Sequence, residues 1–260
     1  MADTHENGSA WMGEDGSAVA GVVYLVGAGP GAPDLITLRG WRLLQSCDVV
    51  VFDSLADDRL YSQLACERID VGKRAGNHKR TQAEINALLV SLSRAGRKVV
   101  RLKGGDPFVL GRGSEEAAWL ADHGVRCLAV PGVSSAVGGP LLAGIPVTHR
   151  GLADAFCVVS AHPRGPEQTY SFPPYQPRLT VVVLMGVHAL SRWREALAAL
   201  GYPDDLPVAF VTWAGRPQQR TLRTTLAKCV ADATDFGLTA PTVAVIGRVA
   251  ALEAVPAYNP

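Results

Sequence analysis

The stretch VYLVGAGPGAPDLITLRG, Val23 to Gly40, decides the fold. Val22 to Val26 is a short β-branched apolar run, GAGPG stops it, and an apolar helical stretch from Leu35 to Gln45 follows. The same strand, turn, helix order recurs downstream. Asp48 to Phe52 reads as a second buried strand. Thr81 opens a helix with a capping box: its hydroxyl takes the amide of Glu84, whose carboxylate reaches back, and Ile85, Leu88, Leu89 and Leu92 fall on one face. Gly96 ends that helix. Lys98 to Leu102 is a further strand, Glu115 to His123 a further helix, and Val125 to Val130 a strand before PGVSSAVGG. Strands alternating with helices predict a parallel sheet covered on both faces.

Gly138 to Pro146, GGPLLAGIP, reads as a hinge, after which strands recur with different spacing at Phe156 to Ser160, Thr180 to Met185, Val208 to Thr212 and Thr242 to Ile246. An amphipathic helix spans Leu190 to Leu200, and His162 to Arg178, with five prolines, reads as a long loop. The expected organisation is a disordered tail over 1–20, an N-terminal α/β domain over 21–138 and a C-terminal α/β domain over 139–260.

Length and composition fit this reading. The 260 residues are 48% hydrophobic and 19% charged, with 27 Gly and 17 Pro, which excludes a disordered chain, a coiled coil and a collagen-like repeat. The net charge of +1 advertises neither nucleic acid nor membrane. Asp3, Glu6, Glu14 and Asp15 lie in the first twenty residues without any Lys or Arg, the wrong charge for a targeting peptide, and leave the remainder at +5. No apolar run is long enough for a membrane helix. Cys47, Cys66, Cys127, Cys157 and Cys229 are scattered and odd in number, so they read as reduced cytoplasmic thiols, with no metal site expected.

Two glycine-rich turns carry the chemistry. GAGPGA, Gly27 to Ala32, matches a dinucleotide fingerprint, and Asp53 ends the next strand about where a ribose-binding acid would lie. Against that, Pro30 supplies no amide, and Pro33 and Asp34 delay the helix that should meet a pyrophosphate. A tight turn that uses glycine only for backbone freedom stays open. RLKGGDPFVLGRGSEE, Arg101 to Glu116, is the stronger feature: it follows a strand directly, Gly104 and Gly105 let a ligand approach the backbone, and Arg101, Lys103 and Arg112 place three cations beside it.

With these residues the chain resembles the uroporphyrinogen-III C-methyltransferases of the tetrapyrrole methylase superfamily. The resemblance rests on Val23 to Gly40, DVVVFDSL ending at Leu55, VGKRAGNH (Val71 to His78), RLKGGDPFVLGRG (Arg101 to Gly113), PGVSS (Pro131 to Ser135) and GIPVTHRG (Gly144 to Gly151). It covers about Val22 to about Ala251. Leu110 stands where such proteins usually have Phe, Ser114 where they have Gly, and Ala56 and Asp57 where they have Val and Ser. These departures bear on fine specificity.

The resemblance implies two α/β domains with a cofactor cleft between them, S-adenosylmethionine as methyl donor with S-adenosylhomocysteine as product, and a homodimer. Pro30, Gly104, Gly105, Asp106, Val109, Ser134, Ser135, Met185, Ala214 and Val243 match positions that hold the cofactor. Arg112, Glu115, Arg150 and Met185 match positions that face the tetrapyrrole. Asp53 and Lys73 match positions proposed to accept and donate protons. Taken alone, Asp53 reads equally as a loop-capping aspartate, and Lys73 as a partner for a substrate carboxylate. The implied reaction is methylation of uroporphyrinogen III at two pyrrole carbons, giving precorrin-2 by way of precorrin-1 for sirohaem, cobalamin or haem d1, with no fused dehydrogenase or chelatase domain. A nucleotide-dependent oxidoreductase and a non-catalytic tetrapyrrole carrier are the competing readings.

Overall fold

The computed structural model describes residues 11–72, 80–162, 170–253 and 256–257. It divides into two compact units, Met1–Ser134 and Ser135–Pro260. Among the described residues each unit contains one five-stranded sheet.

In the first unit, strands β1 (Val22–Gly27), β2 (Val49–Phe52), β3 (Glu67–Asp70), β4 (Val99–Lys103) and β5 (Arg126–Val130) lie in the order β3-β2-β4-β1-β5. Every pairing is parallel. Alternation along each strand divides the core into two layers. Val22, Tyr24 and Val26 of β1 join Val50, Phe52, Val100 and Leu102 against Leu43 and Leu44 of helix α1 (Leu38–Ser46). On the opposite face Val23, Leu25, Val51 and Val99 pack against Ile85 and Leu89 of α2 (Gln82–Arg94) and Leu120 of α3 (Gly113–Asp122). The capping box forms as the sequence predicts: the Glu84 amide donates to Thr81 Oγ1 at 3.2 Å and the Thr81 amide to Glu84 Oε2 at 2.6 Å.

The second unit opens with α4 (Ser135–Leu142) and then forms β6 (Ala155–Ser160), β7 (Leu179–Leu184), α5 (Leu190–Ala199), β8 (Pro207–Thr212), β9 (Arg220–Thr225), α6 (Cys229–Phe236) and β10 (Thr242–Ile246). Its sheet has the order β6-β7-β10-β8-β9. Here β6 pairs parallel with β7, while β10 runs antiparallel to β7 and β8, and β8 antiparallel to β9. Trp193 and Leu197 of α5 and Cys229 and Ala233 of α6 cover one face, and Ala136 of α4 packs on Val182 and Val243 of the other.

Four readings change. Residues 11–20 are not a disordered tail. The Tyr24 side chain is fully buried, and its hydroxyl needs partners there. The hydroxyl donates to the Trp11 carbonyl at 2.7 Å and accepts from the Val19 amide at 2.8 Å. Ala18 is buried as well. Residues 1–10 lie outside the described part. The stretch read as a hinge over Gly138–Pro146 begins inside α4, so the division falls after Ser134 rather than after Gly138. The helix expected over Leu35–Gln45 is a 3-10 turn at Pro33–Leu35 followed by α1, whose start Thr37 caps by accepting from the Gly40 amide at 3.2 Å. Finally, β3 and β9, an edge strand of each sheet, went unread.

Candidate active site

In the first unit the carboxyl ends of β1, β2, β4 and β5 bring the motif loops to one end of the sheet, with Gly27 beside Lys103, Phe52 beside Leu102 and Val26 beside Val130. Three glycines meet there. A Cβ on Gly27 would stand 2.6 Å from the Gly105 carbonyl oxygen and 2.6 Å from Gly132 Cα, so the turns after β1, β4 and β5 touch backbone to backbone. Gly29 and Gly105 exchange hydrogen bonds of 3.2 and 2.7 Å, and the Ala28 amide donates to the Lys103 carbonyl at 2.7 Å. Gly105 has φ +68°, a left-handed conformation that glycine adopts without the Cβ penalty.

Pro30 lies between Gly29 and Gly31, which both have positive φ. A dinucleotide turn needs a helix N-terminus directly at the glycines, so that amides and dipole meet the diphosphate. Here α1 starts only at Leu38, which removes the main support for a dinucleotide reading. The close glycine contacts instead make a floor of backbone at the sheet end, where Cβ atoms on Gly27 and Gly132 have no room. Gly105 is part of that floor, whereas a Cβ on Gly104 would stand 2.8 Å from Leu55 Cβ. The two Asp106 carboxylate oxygens accept from the Phe108 amide at 2.8 Å and the Gly132 amide at 3.0 Å, so Asp106 ties the turn after β4 to the turn after β5. Val109 is part of an exposed apolar run, Phe108 to Leu110.

Arg112 is the residue before α3, with φ +58°, and its guanidinium donates to Glu115 Oε2 from Nε at 3.0 Å and from Nη2 at 2.7 Å. Both side chains are more than half exposed. The Glu115 carboxylate pushes the Arg112 pKa up further, so this arginine stays charged. Asp53 follows β2; its Oδ1 accepts from the Leu55 amide at 3.1 Å and its Oδ2 from Arg101 Nη2 at 3.2 Å. Lys73 lies outside the described residues, as do Arg74 and Lys79.

One reading is corrected at this site. Arg101 and Lys103 are not loop cations offered to a ligand, because both are buried. They continue the Val99 face of β4 inward and meet Glu116 of α3, which is fully buried. Lys103 Nζ lies 3.0 and 3.1 Å from the two Glu116 oxygens, and Arg101 Nε lies 3.4 Å from Oε1. Gln82 of α2 donates to Glu116 Oε1 at 3.1 Å. Burial, then the neighbouring Arg101, lowers the Lys103 pKa, against the pull of Glu116. Sequence reasoning assigned Glu116 no role. The available signal was two cations at alternate positions of a strand otherwise buried on both faces, which demand a buried counter-charge.

In the second unit Met185 follows β7 with φ +58° and is about half exposed. Because Val183 pairs with Ala244, Met185 stands at the sheet end where β10 begins. Ala214 and Val243 are buried there, and a Cβ on Gly139 would lie 3.2 Å from Val243 Cγ2 and 3.6 Å from Ala214 Cβ. Those two side chains therefore sit under α4. Ser134 ends the first unit and Ser135 begins α4; both are half-buried. Arg150 is exposed in the turn closed by His149 and Ala153, whose backbones exchange bonds of 3.0 and 2.9 Å. All five cysteines are free thiols, and among the described residues no His, Cys, Asp and Glu side chains gather as a metal site. No helix among them is long and apolar enough to cross a membrane.

A family model described as Tetrapyrrole (Corrin/Porphyrin) Methylases matches residues 22–229. The chain is 41% identical over 239 residues to an S-adenosyl-L-methionine-dependent uroporphyrinogen III methyltransferase of Methanosarcina barkeri, covering 90% of this chain and 93% of that protein. It is 43% identical over 240 residues to the siroheme synthase of Chromobacterium violaceum, covering 91% of this chain and 51% of the synthase. The chain thus spans about half the length of the siroheme synthases it matches. Among solved structures, a uroporphyrin-III C-methyltransferase of Thermus thermophilus complexed with S-adenyl homocysteine is 38% identical with a TM-score of 0.74, covering 88% of this chain and 93% of that one. The chain belongs to the tetrapyrrole (corrin/porphyrin) methylases.

Proposed function

We propose that this chain transfers methyl groups from S-adenosylmethionine to two pyrrole carbons of uroporphyrinogen III, giving precorrin-2 by way of precorrin-1, with S-adenosylhomocysteine released. The observation that carries the reading is one sheet end that holds a glycine floor, an acid at Asp53 and an exposed guanidinium at Arg112. It occurs in a chain that covers 93% of a methyltransferase named for that substrate.

The cofactor, when bound, supplies a methyl group already activated on a sulfonium. The protein then contributes position and charge. Gly104, Gly105, Pro30, Asp106 and Val109 of the first unit, Ser134 and Ser135, and Met185, Ala214 and Val243 of the second would hold the cofactor. Alignment of the reacting atoms supplies up to roughly 7–11 kcal/mol of the barrier. Arg112 and Arg150 would take substrate carboxylates with their forked donors, and Arg112 must first release or share its present partner Glu115. Asp53 would accept the proton that the methylated pyrrole loses. Lys73 is proposed as its donor counterpart. The carboxylate-rich substrate accounts for the basic residues of the motif loops on a nearly neutral chain.

Assembly as a homodimer, operation in the cytoplasm with reduced thiols, and a product serving sirohaem, cobalamin or haem d1 complete the proposal. The test is incubation of the purified protein with uroporphyrinogen III and labelled S-adenosylmethionine. Two labelled methyls in the tetrapyrrole are expected, and a tetrapyrrole without label overturns the proposal. Calorimetry with NAD, NADP and S-adenosylhomocysteine is expected to show binding of the last alone.

A further inference from the structure

We propose that Arg101 is a positioning residue for Asp53, held in that role by Glu116. The inference rests on the reading of Asp53 as proton acceptor. It starts from the way the Asp53 carboxylate is held: Oδ1 takes the Leu55 amide at 3.1 Å, and Oδ2 takes Arg101 Nη2 at 3.2 Å. One oxygen is fixed by its own turn, and the other by a guanidinium that approaches from the buried side.

Arg101 is itself constrained. Its Nη1 donates to the Leu102 carbonyl at 3.0 Å, and its Nε lies 3.4 Å from Glu116 Oε1. Glu116 is pinned in turn by Lys103 Nζ at 3.0 and 3.1 Å and by Gln82 Nε2 at 3.1 Å. The chain of contacts runs from α2 and α3 through β4 to the acid at the end of β2.

Stability alone does not explain this arrangement. The Val99 face of β4 is otherwise apolar, and apolar side chains of similar volume commonly replace a buried ion cluster without loss of stability. An apolar side chain could not hold a carboxylate at a set angle. The same cluster also anchors α3, the helix that Arg112 precedes. The proton-accepting group and the arginine proposed to orient the substrate are thereby fixed to one buried point, Glu116.

The experiment compares wild type with Arg101→Gln, Arg101→Lys, Asp53→Asn and the double variant Arg101→Gln/Asp53→Asn. Methyl transfer to uroporphyrinogen III gives kcat and KM, and calorimetry gives S-adenosylhomocysteine affinity. For Arg101→Gln the expected result is a fall in kcat of about a hundredfold, the effect of a roughly 1 Å misplacement, with cofactor affinity within about threefold of wild type. Arg101→Lys keeps one charge but cannot meet Asp53 and Glu116 together, so it should recover most of the loss while staying about threefold below wild type in kcat. The double variant should be no slower than Asp53→Asn.

A fall in cofactor affinity matching the fall in kcat shows a merely structural role and overturns the proposal, as does additivity in the double variant. If Arg101→Gln does not fold, Arg101→Lys decides: wild-type kcat in the folded protein overturns the proposal. Full activity in Asp53→Asn brings down the reading of Asp53 and this inference with it, whereas an inactive Asp53→Asn beside a fully active Arg101→Gln overturns the inference alone.

Discussion

Replacing Gly27 by Ala tests the glycine floor directly. The added Cβ would stand 2.6 Å from the Gly105 carbonyl oxygen and 2.6 Å from both Gly132 Cα and its amide nitrogen, where real Cβ contacts essentially never fall below 3.0 Å. Backbone must therefore move by about 0.4 Å on two neighbouring turns at once. Such overpacking costs about 1–3 kcal/mol. The Gly105 carbonyl accepts from Gly29, and shifting it weakens a hydrogen bond worth about 1 kcal/mol more. The expected loss is about 2–4 kcal/mol, or roughly thirty- to a thousandfold in the unfolding equilibrium, measured as a lower urea midpoint. S-adenosylhomocysteine affinity by calorimetry should fall by about tenfold or more, since the displaced turns carry Gly105 and Pro30. Gly124→Ala is the matched control. It has φ +68° with nothing within 4 Å of a new Cβ, so it should cost about 1–2 kcal/mol from backbone strain and leave cofactor binding unchanged. Equal cofactor affinity in the two variants would refute the floor as a binding element.

Three further outcomes are expected. Arg112→Ala should abolish turnover while cofactor affinity stays within a few-fold and stability within about 1 kcal/mol, because the exposed pair with Glu115 stabilises little; loss of cofactor binding would place Arg112 on the wrong ligand. Tyr24→Phe removes the group that meets the Trp11 carbonyl and the Val19 amide, so it should destabilise by about 1–3 kcal/mol and speed cleavage after Glu14 by a Glu-specific protease; an unchanged cleavage rate contradicts the packing of residues 11–20. Burial raises the Cys229 thiol from 9.0 to about 11. In that window the unfolded chain releases a proton that the folded chain retains, so stability is fully present below pH 9.0 and declines as pH rises towards 11. Cys229→Ala should flatten this decline between about pH 9 and about pH 11 in urea melts, and an unaltered slope assigns it to other groups.

How far the sequence disclosed the molecule depended on the range of the interactions involved. The apolar runs of β1, β2 and β4 were legible because a parallel strand buried on both faces reads as a continuous hydrophobic stretch. ERID and RTLRTT were not, since β3 and β9 are edge strands, and edges are kept polar so that they do not recruit further strands. The Thr81 capping box was legible because all its partners lie within one turn of helix. In α4, three small or helix-breaking residues, Gly138, Gly139 and Pro140, pointed to a hinge, yet packing overrode propensity: Gly139 fits closely over Val243, and Ala136 packs on Val182.

At the site the glycine turns were legible and the ion cluster was not, for the same reason. A glycine announces a backbone need at its own position, whereas Arg101 and Lys103 acquire their meaning from Asp53 and Glu116, which the chain brings to them across long separations. The cluster alters what the motif charges can do. Two of the three cations counted beside the glycine loop are neutralised within the fold, so for the charge presented to ligand by this motif only Arg112 remains, already shared with Glu115. Under the proposed function, recognition of a carboxylate-rich substrate draws on cations beyond this loop, with Arg150 the one proposed, and removal of either arginine is expected to weaken substrate binding more than the sequence count of basic residues implies.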